Sequence, residues 1–184
     1  WGDRGDSVDK AVGQADLGAE RMPIWTGLGR ALQWLLIITA VAGGFFTDPG
    51  SRWYRSLRKP PIQPPPAVFG PVWSLLYGLI TVSSAATIAD TREQGHEDEA
   101  EQFERALAAN LALNAAWSGV FFRGHALVPA AVTAGLLALS SADLTRRAAR
   151  SCPGKAADLG VYTAWCTFAT VLSTAIAIRN RKRR

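Results

Sequence analysis

Five stretches of this chain contain no Asp, Glu, Lys or Arg: residues 31–47, 60–89, 106–122, 124–142 and 159–178. A bilayer core about 30 Å thick asks for about 20 mostly apolar residues per crossing helix. Runs of this length, repeated five times in 184 residues, exclude a soluble globular enzyme. They exclude a disordered chain too, and a transmembrane β-barrel would show short alternating strands instead. With 48% hydrophobic and 19% charged residues, the chain reads as an all-α, multi-pass membrane protein.

The formal charge of +5 is read in that light. Lys and Arg sit at the ends of the apolar runs and in the tails, as juxtamembrane charge does. No basic patch lies on a soluble face, so nucleic acid is not an expected partner. Cys152 and Cys166, His96 and His125 are scattered without metal-ligand spacing, so neither a disulfide nor a metal site is expected.

Five membrane helices are expected over residues 26–46, 67–89, 102–122, 126–144 and 157–178. Residues 1–25 carry five acids and three bases among small residues and are expected to form a polar, disordered tail. The membrane domain then covers 26–180, and 181–184 form a basic tail. Between the first two segments lies DPGSRWYRSLRKPPIQPPP. Its Trp53 and Tyr54 suit the headgroup level, and its prolines favour extended, polyproline-like chain. Pro71 is expected within the first turn of the second helix, where it is tolerated. Residues 90–105 read as a solvated acidic hairpin, and Arg123-Gly124-His125 is so short that the helices it joins must be antiparallel neighbours. Lys and Arg tie at ten on each side of the membrane, which leaves only a preference for a cytoplasmic C-terminus.

The segment 53–78, WYRSLRKPPIQPPPAVFGPVWSLLYG, resembles the signature of the TspO/MBR family, the tryptophan-rich sensory proteins of bacteria and the mitochondrial translocator proteins. Trp53-Tyr54, Leu57, Lys59-Pro60, Pro64-Pro65, Gly70-Pro71-Val72-Trp73 and Tyr77 fall in register with it. Two further matches follow: Asn114, Trp117, Phe121 and Phe122 in LALNAAWSGVFF, then Tyr162, Ala164-Trp165, Phe168-Ala169-Thr170 and Leu172 in YTAWCTFATVLS. The chain departs from the pattern at Ile62 and Ala67, where the family often has Trp, at Ser118-Gly119 and Val161, where it has Pro, and at Ser173, where it has Asn. Thr174 stands where the animal proteins carry a cholesterol-associated Tyr, which counts against cholesterol as the natural ligand.

The resemblance implies a five-helix bundle with an internal ligand cavity, closed by the loop between the first two helices. It implies an integral membrane location, in a bacterial cell membrane or a mitochondrial or other organelle membrane. Porphyrin or haem is the implied ligand, and no cofactor is required. The implied ligand-binding set is Trp53, Phe69, Trp73, Tyr77, Asn114, Trp117, Tyr162, Trp165, Ala169 and Leu172. Taken alone, Asn114 reads as a polar group hydrogen-bonded within the bundle. Arg52, Arg55, Arg58 and Lys59 suit either ligand carboxylates or lipid headgroups.

The function this supports is a receptor or transport-related protein for tetrapyrroles or other planar amphipathic molecules. The alternatives are a light- and oxygen-dependent porphyrin-degrading enzyme working through cavity tryptophans, and a sterol-binding or regulatory membrane partner. No nucleophile with a base and no carboxylate pair stands out, so no catalytic residue is nominated. Small residues Ala108, Ala112 and Ala116 line one face of the third helix, and Ala130, Ala134, Ala138 and Ala142 one face of the fourth. Close approach of small residues drives helix association in lipid. The third helix is assigned to a homodimer face, on the resemblance, and the fourth to internal packing.

Overall fold

The computed structural model describes residues 51–151 and 153–181. The polar tail, the 26–46 segment, Cys152 and residues 182–184 lie outside the described residues. Among the described residues all regular structure is helical: α1 (Arg52–Ser56), α2 (Pro66–Glu93), α3 (Glu97–Ser118), a π turn (Gly119–Arg123), α4 (Leu127–Ser151) and α5 (Pro153–Asn180). The four long helices close a ring in which α2 meets α3 and α5, and α4 meets α3 and, most extensively, α5.

By length and composition α2, α4 and α5 suffice to cross a membrane. The first nine residues of α3 include Glu97, Asp98, Glu99, Glu101, Glu104 and Arg105, so its apolar part is only the stretch from Ala106 onward. The outer surface carries Leu75, Val128, Val132, Leu136, Leu139 and Ile178, all at least half exposed. Side chains buried at the centre include Asn110, Asn114, Ser83, Ser84 and Ser141. Apolar outside and polar inside is the arrangement that hydrocarbon solvent demands; of these side chains all but Ser84, whose hydroxyl has no partner, are hydrogen-bonded.

The helices outrun the apolar segments. α2 starts on Pro66, a residue suited to the first helical position, so Pro71 falls in the second turn rather than the first. The expected acidic hairpin is almost wholly helical, with only Gln94, Gly95 and His96 between α2 and α3. Gly95, at φ 79°, ends α2: its N–H donates to Arg92 O, and the His96 N–H donates to Thr91 O, a Schellman motif that needs a residue tolerant of the left-handed region. Arg92 then ties the two helices by hydrogen bonds to Glu97 (3.3 Å) and Glu104 (2.8 Å). α4 continues to Ser151, with Asp143 accepting from Arg146 and Arg147 on its surface.

Candidate functional site

The chain before α2, residues 51–65, crosses one end of the ring as a strap. Instead of wholly extended chain it begins with α1, whose N-cap Ser51 accepts from the Tyr54 N–H at 3.2 Å, and it turns at Pro61-Ile62, where the Gln63 N–H donates to Pro60 O. α1 presents Tyr54 inward, 4% exposed. Gln63 Nε2 donates to the Tyr54 hydroxyl at 2.7 Å, and Lys59 Nζ lies 4.4 Å from its ring centre. Burial pushes the Tyr54 phenol above its usual range, with the Gln63 hydrogen bond opposing. Trp53 stacks on His125 at 4.1 Å. His125 itself sits in the left-handed region at φ 51°, at the α3–α4 corner.

Beneath the strap the rings of four elements converge. Trp73 lies 5.6 Å from Tyr77, 6.3 Å from Trp117 and 6.5 Å from Trp165. Trp117 stacks on Phe121 at 5.8 Å and meets Phe122 edge-on. The π turn brings both phenylalanines to this cluster. The Gly124 N–H donates to Gly119 O, and a Cβ on Gly124 would lie 2.9 Å from Val120 O, so the turn closes only on glycine. A void of about 30 Å³ remains among Tyr54, Phe69, Trp73, Trp117, Phe121, Phe122, Leu172, Ser173 and Ile176. That is room for about one water. The Trp117 indole N–H is buried beside it with no acceptor.

Below the rings runs a chain of hydrogen bonds across all four long helices. The Tyr77 hydroxyl donates to Asn114 Oδ1 (3.1 Å), Asn114 Nδ2 to the Tyr162 hydroxyl (3.1 Å), and that hydroxyl to Asn110 Oδ1 (2.9 Å). Asn110 Nδ2 reaches Ser140 and Ser141 at 3.2 and 3.0 Å. Each member is partner to the next, so none stands as an isolated buried polar group.

Of the residues singled out from sequence, Phe69, Trp73, Trp117 and Leu172 line the void. Trp53 and Trp165 belong to the surrounding aromatic shell, while Tyr77, Asn114 and Tyr162 build the polar chain. Ala169 is half-buried on α5, off the wall of the void. Arg52, Arg55 and Arg58 are exposed on the strap, and Lys59 is half-buried over Tyr54. Sequence reasoning did not single out Tyr54, Phe121, Phe122, Ser173 and Ile176 as wall residues, although the first three lie within matched motifs. Asn110 and Asn180 carried no motif that would have found them. Ala112 and Ala116 are exposed on α3, with Ala108 half-buried. On α4, Ala130 and Ala134 are buried inside the ring, but Ala138 is only half-buried and Ala142 is exposed, so the expected internal stripe holds only over its first half. Among the described residues no group of three or more His, Cys, Asp or Glu is placed to hold a metal ion.

An apolar exterior, a hydrogen-bonded interior and helices of crossing length define an integral membrane protein, with aromatic rings gathered under a strap at one end. The TspO/MBR family matches residues 32–179, and the chain belongs to that family. It is 34% identical over 139 residues to the translocator protein of Bos taurus, covering 73% of this chain and 79% of the relative. It is 31% identical over 150 residues to the tryptophan-rich protein TspO of Archaeoglobus fulgidus, covering 79% and 94%. The Bacillus subtilis membrane protein YtaB is 31% identical over 139 residues, covering 76% and 87%.

Proposed function

We propose that this protein is a five-helix membrane receptor or transport-related protein that binds a large, planar, amphipathic ligand, a tetrapyrrole foremost, under the strap. Family membership and the name of the bovine relative, translocator protein, support the receptor or transport-related role. The observation that carries the ligand class is the Trp117 indole, a buried N–H without an acceptor in a wall of aromatic faces. Flat rings offer stacking area. An unsatisfied buried donor costs about 1–3 kcal/mol, which a ligand acceptor would recover. At about 30 Å³ the void is far too small for a porphyrin, which enters only when the strap lifts and the rings part. The exposed Arg52, Arg55 and Arg58 then meet the carboxylates at the ligand's edge.

Titration of the purified protein with protoporphyrin IX, haem and a sterol, followed by tryptophan quenching, tests this. Saturable quenching by the tetrapyrroles is expected, and its absence overturns the reading. Trp117→Phe should weaken an acceptor-bearing porphyrin by about three- to tenfold, the worth of one hydrogen bond. A planar hydrocarbon without acceptors should bind both proteins alike.

A further inference from the structure

The strap is fastened to α5 by a side chain that reads main chain only. Asn180, the last residue of α5, is 8% exposed. Its Oδ1 accepts from the Arg58 N–H at 3.0 Å, and its Nδ2 donates to Arg58 O at 3.1 Å. The second hydrogen of Nδ2 goes back to Ile176 O at 2.8 Å, which fixes the carboxamide on its own helix. A carboxamide carries the same donor and acceptor as a peptide unit. Asn180 therefore pairs with residue 58 as a neighbouring strand would, whatever side chain stands there, and the Arg58 side chain is left exposed.

The position of this pair gives it a role. Ile176, one turn before Asn180, and Tyr54, four residues before Arg58, both line the void. The bonds thus join the two segments that would have to separate for a ligand to pass between them. They are two ordinary hydrogen bonds at the edge of the bundle, each of which water replaces when it breaks, so the fastening opens without dismantling the helices. At the other side of the strap, Trp53 on His125 is a stacking contact that tolerates sliding.

We propose that Asn180 is the latch of the strap: its paired bonds to the Arg58 main chain hold residues 52–64 shut, and their rupture governs ligand entry and exit. This rests on the reading of the void as the ligand site, but the latch itself is measurable without ligand. In the full chain in lipid nanodiscs, hydrogen exchange of peptides covering 52–64 should accelerate about tenfold or more in Asn180→Ala, the shift expected for two lost hydrogen bonds. Asn180→Asp should accelerate it as well, because a carboxylate still accepts from the Arg58 N–H but faces two carbonyls it cannot donate to. Arg58→Ala should leave exchange unchanged. Peptides from α4 report that each variant is folded, and the aspartate variant serves if the alanine one is not. Association and dissociation of protoporphyrin IX, followed by stopped-flow quenching, should both accelerate in the Asn180 variants, with the dissociation constant moving less than either rate. Unchanged exchange at 52–64 overturns the latch. Faster exchange with unaltered porphyrin rates overturns its control of passage while leaving the binding site standing. A wild-type protein that binds no porphyrin removes the ligand reading, and the exchange result alone then decides the latch.

Discussion

The two ends of the bundle are built on different principles. Away from the strap the core is mainly aliphatic, with Ile80, Leu107, Leu144 and Leu159 all but fully buried beside Phe103, and the chain from Tyr77 to Ser141 pairs donor with acceptor through the middle. Under the strap the core is aromatic, holds a void, and leaves the Trp117 N–H unpaired. In lipid, helices gain little from burying apolar surface against one another, so packing and hydrogen bonds set their register. The polar chain does that for the distal end and makes it a frame. The rings of Trp73, Trp117, Trp165 and Phe168, which meet at 5.5–6.5 Å and varied angles, are held by packing and can slide past one another. One end keeps the helices in place, and the other is free to change shape around a guest.

Separate substitutions at the two ends should therefore have separate consequences. The largest effect on stability is expected from Asn110→Ala, which removes the acceptor of the Tyr162 O–H and the donor to Ser140 and Ser141. Unfolding in a denaturing-detergent titration should cost about 2 kcal/mol less, while porphyrin affinity in the folded fraction stays near wild type. A parallel loss of affinity would mean that the ends form one unit, and the contrast fails. Next come Trp73→Ala and Trp165→Ala, each expected to weaken porphyrin binding by more than about tenfold, or about 1.4 kcal/mol, in protein that stays folded in detergent. Unchanged affinity in both would remove the aromatic end as the binding site. The smallest effect on binding, none, is expected from Ala112→Leu on the exposed face of α3, where light scattering should show a homodimer converted to monomer. A dimer that persists places the contact elsewhere.

Among the described residues, the helices long and apolar enough to span, α2, α4 and α5, were legible in the charge-free runs because solvent alone dictates them. Their ends were not. α3 begins at Glu97 rather than near residue 102 because acids in a first turn complement the helix dipole, and α4 reaches Ser151 with Asp143 pairing to Arg146 and Arg147 along its surface. For the site, the tryptophan-rich motifs led to Phe69, Trp73, Trp117 and Leu172. They did not separate wall from frame: Tyr77, Asn114 and Tyr162 lie in the same motifs and belong to the polar chain. Asn110 and Asn180 escaped notice for a related reason. Their partners Tyr162 and Arg58 are 52 and 122 residues away, and one helix read by itself shows only an asparagine.

The π turn after Ser118 has a consequence for how such a helix can vary. Along an ordinary α-helix consecutive side chains stand about 100° apart, so Phe121 and Phe122 could not both look toward Trp117 while Asn110 and Asn114 kept their bearing. One surplus residue in the turn resets the angular phase between the two stretches. The asparagines are indexed to the frame and the phenylalanines to the chamber, like two dials on one shaft with a slipped tooth between them. Changes in the ring wall can then accumulate beyond the slip without rotating the hydrogen bonds before it, so the lining of the chamber is free to drift while the scaffold that carries it stays in register.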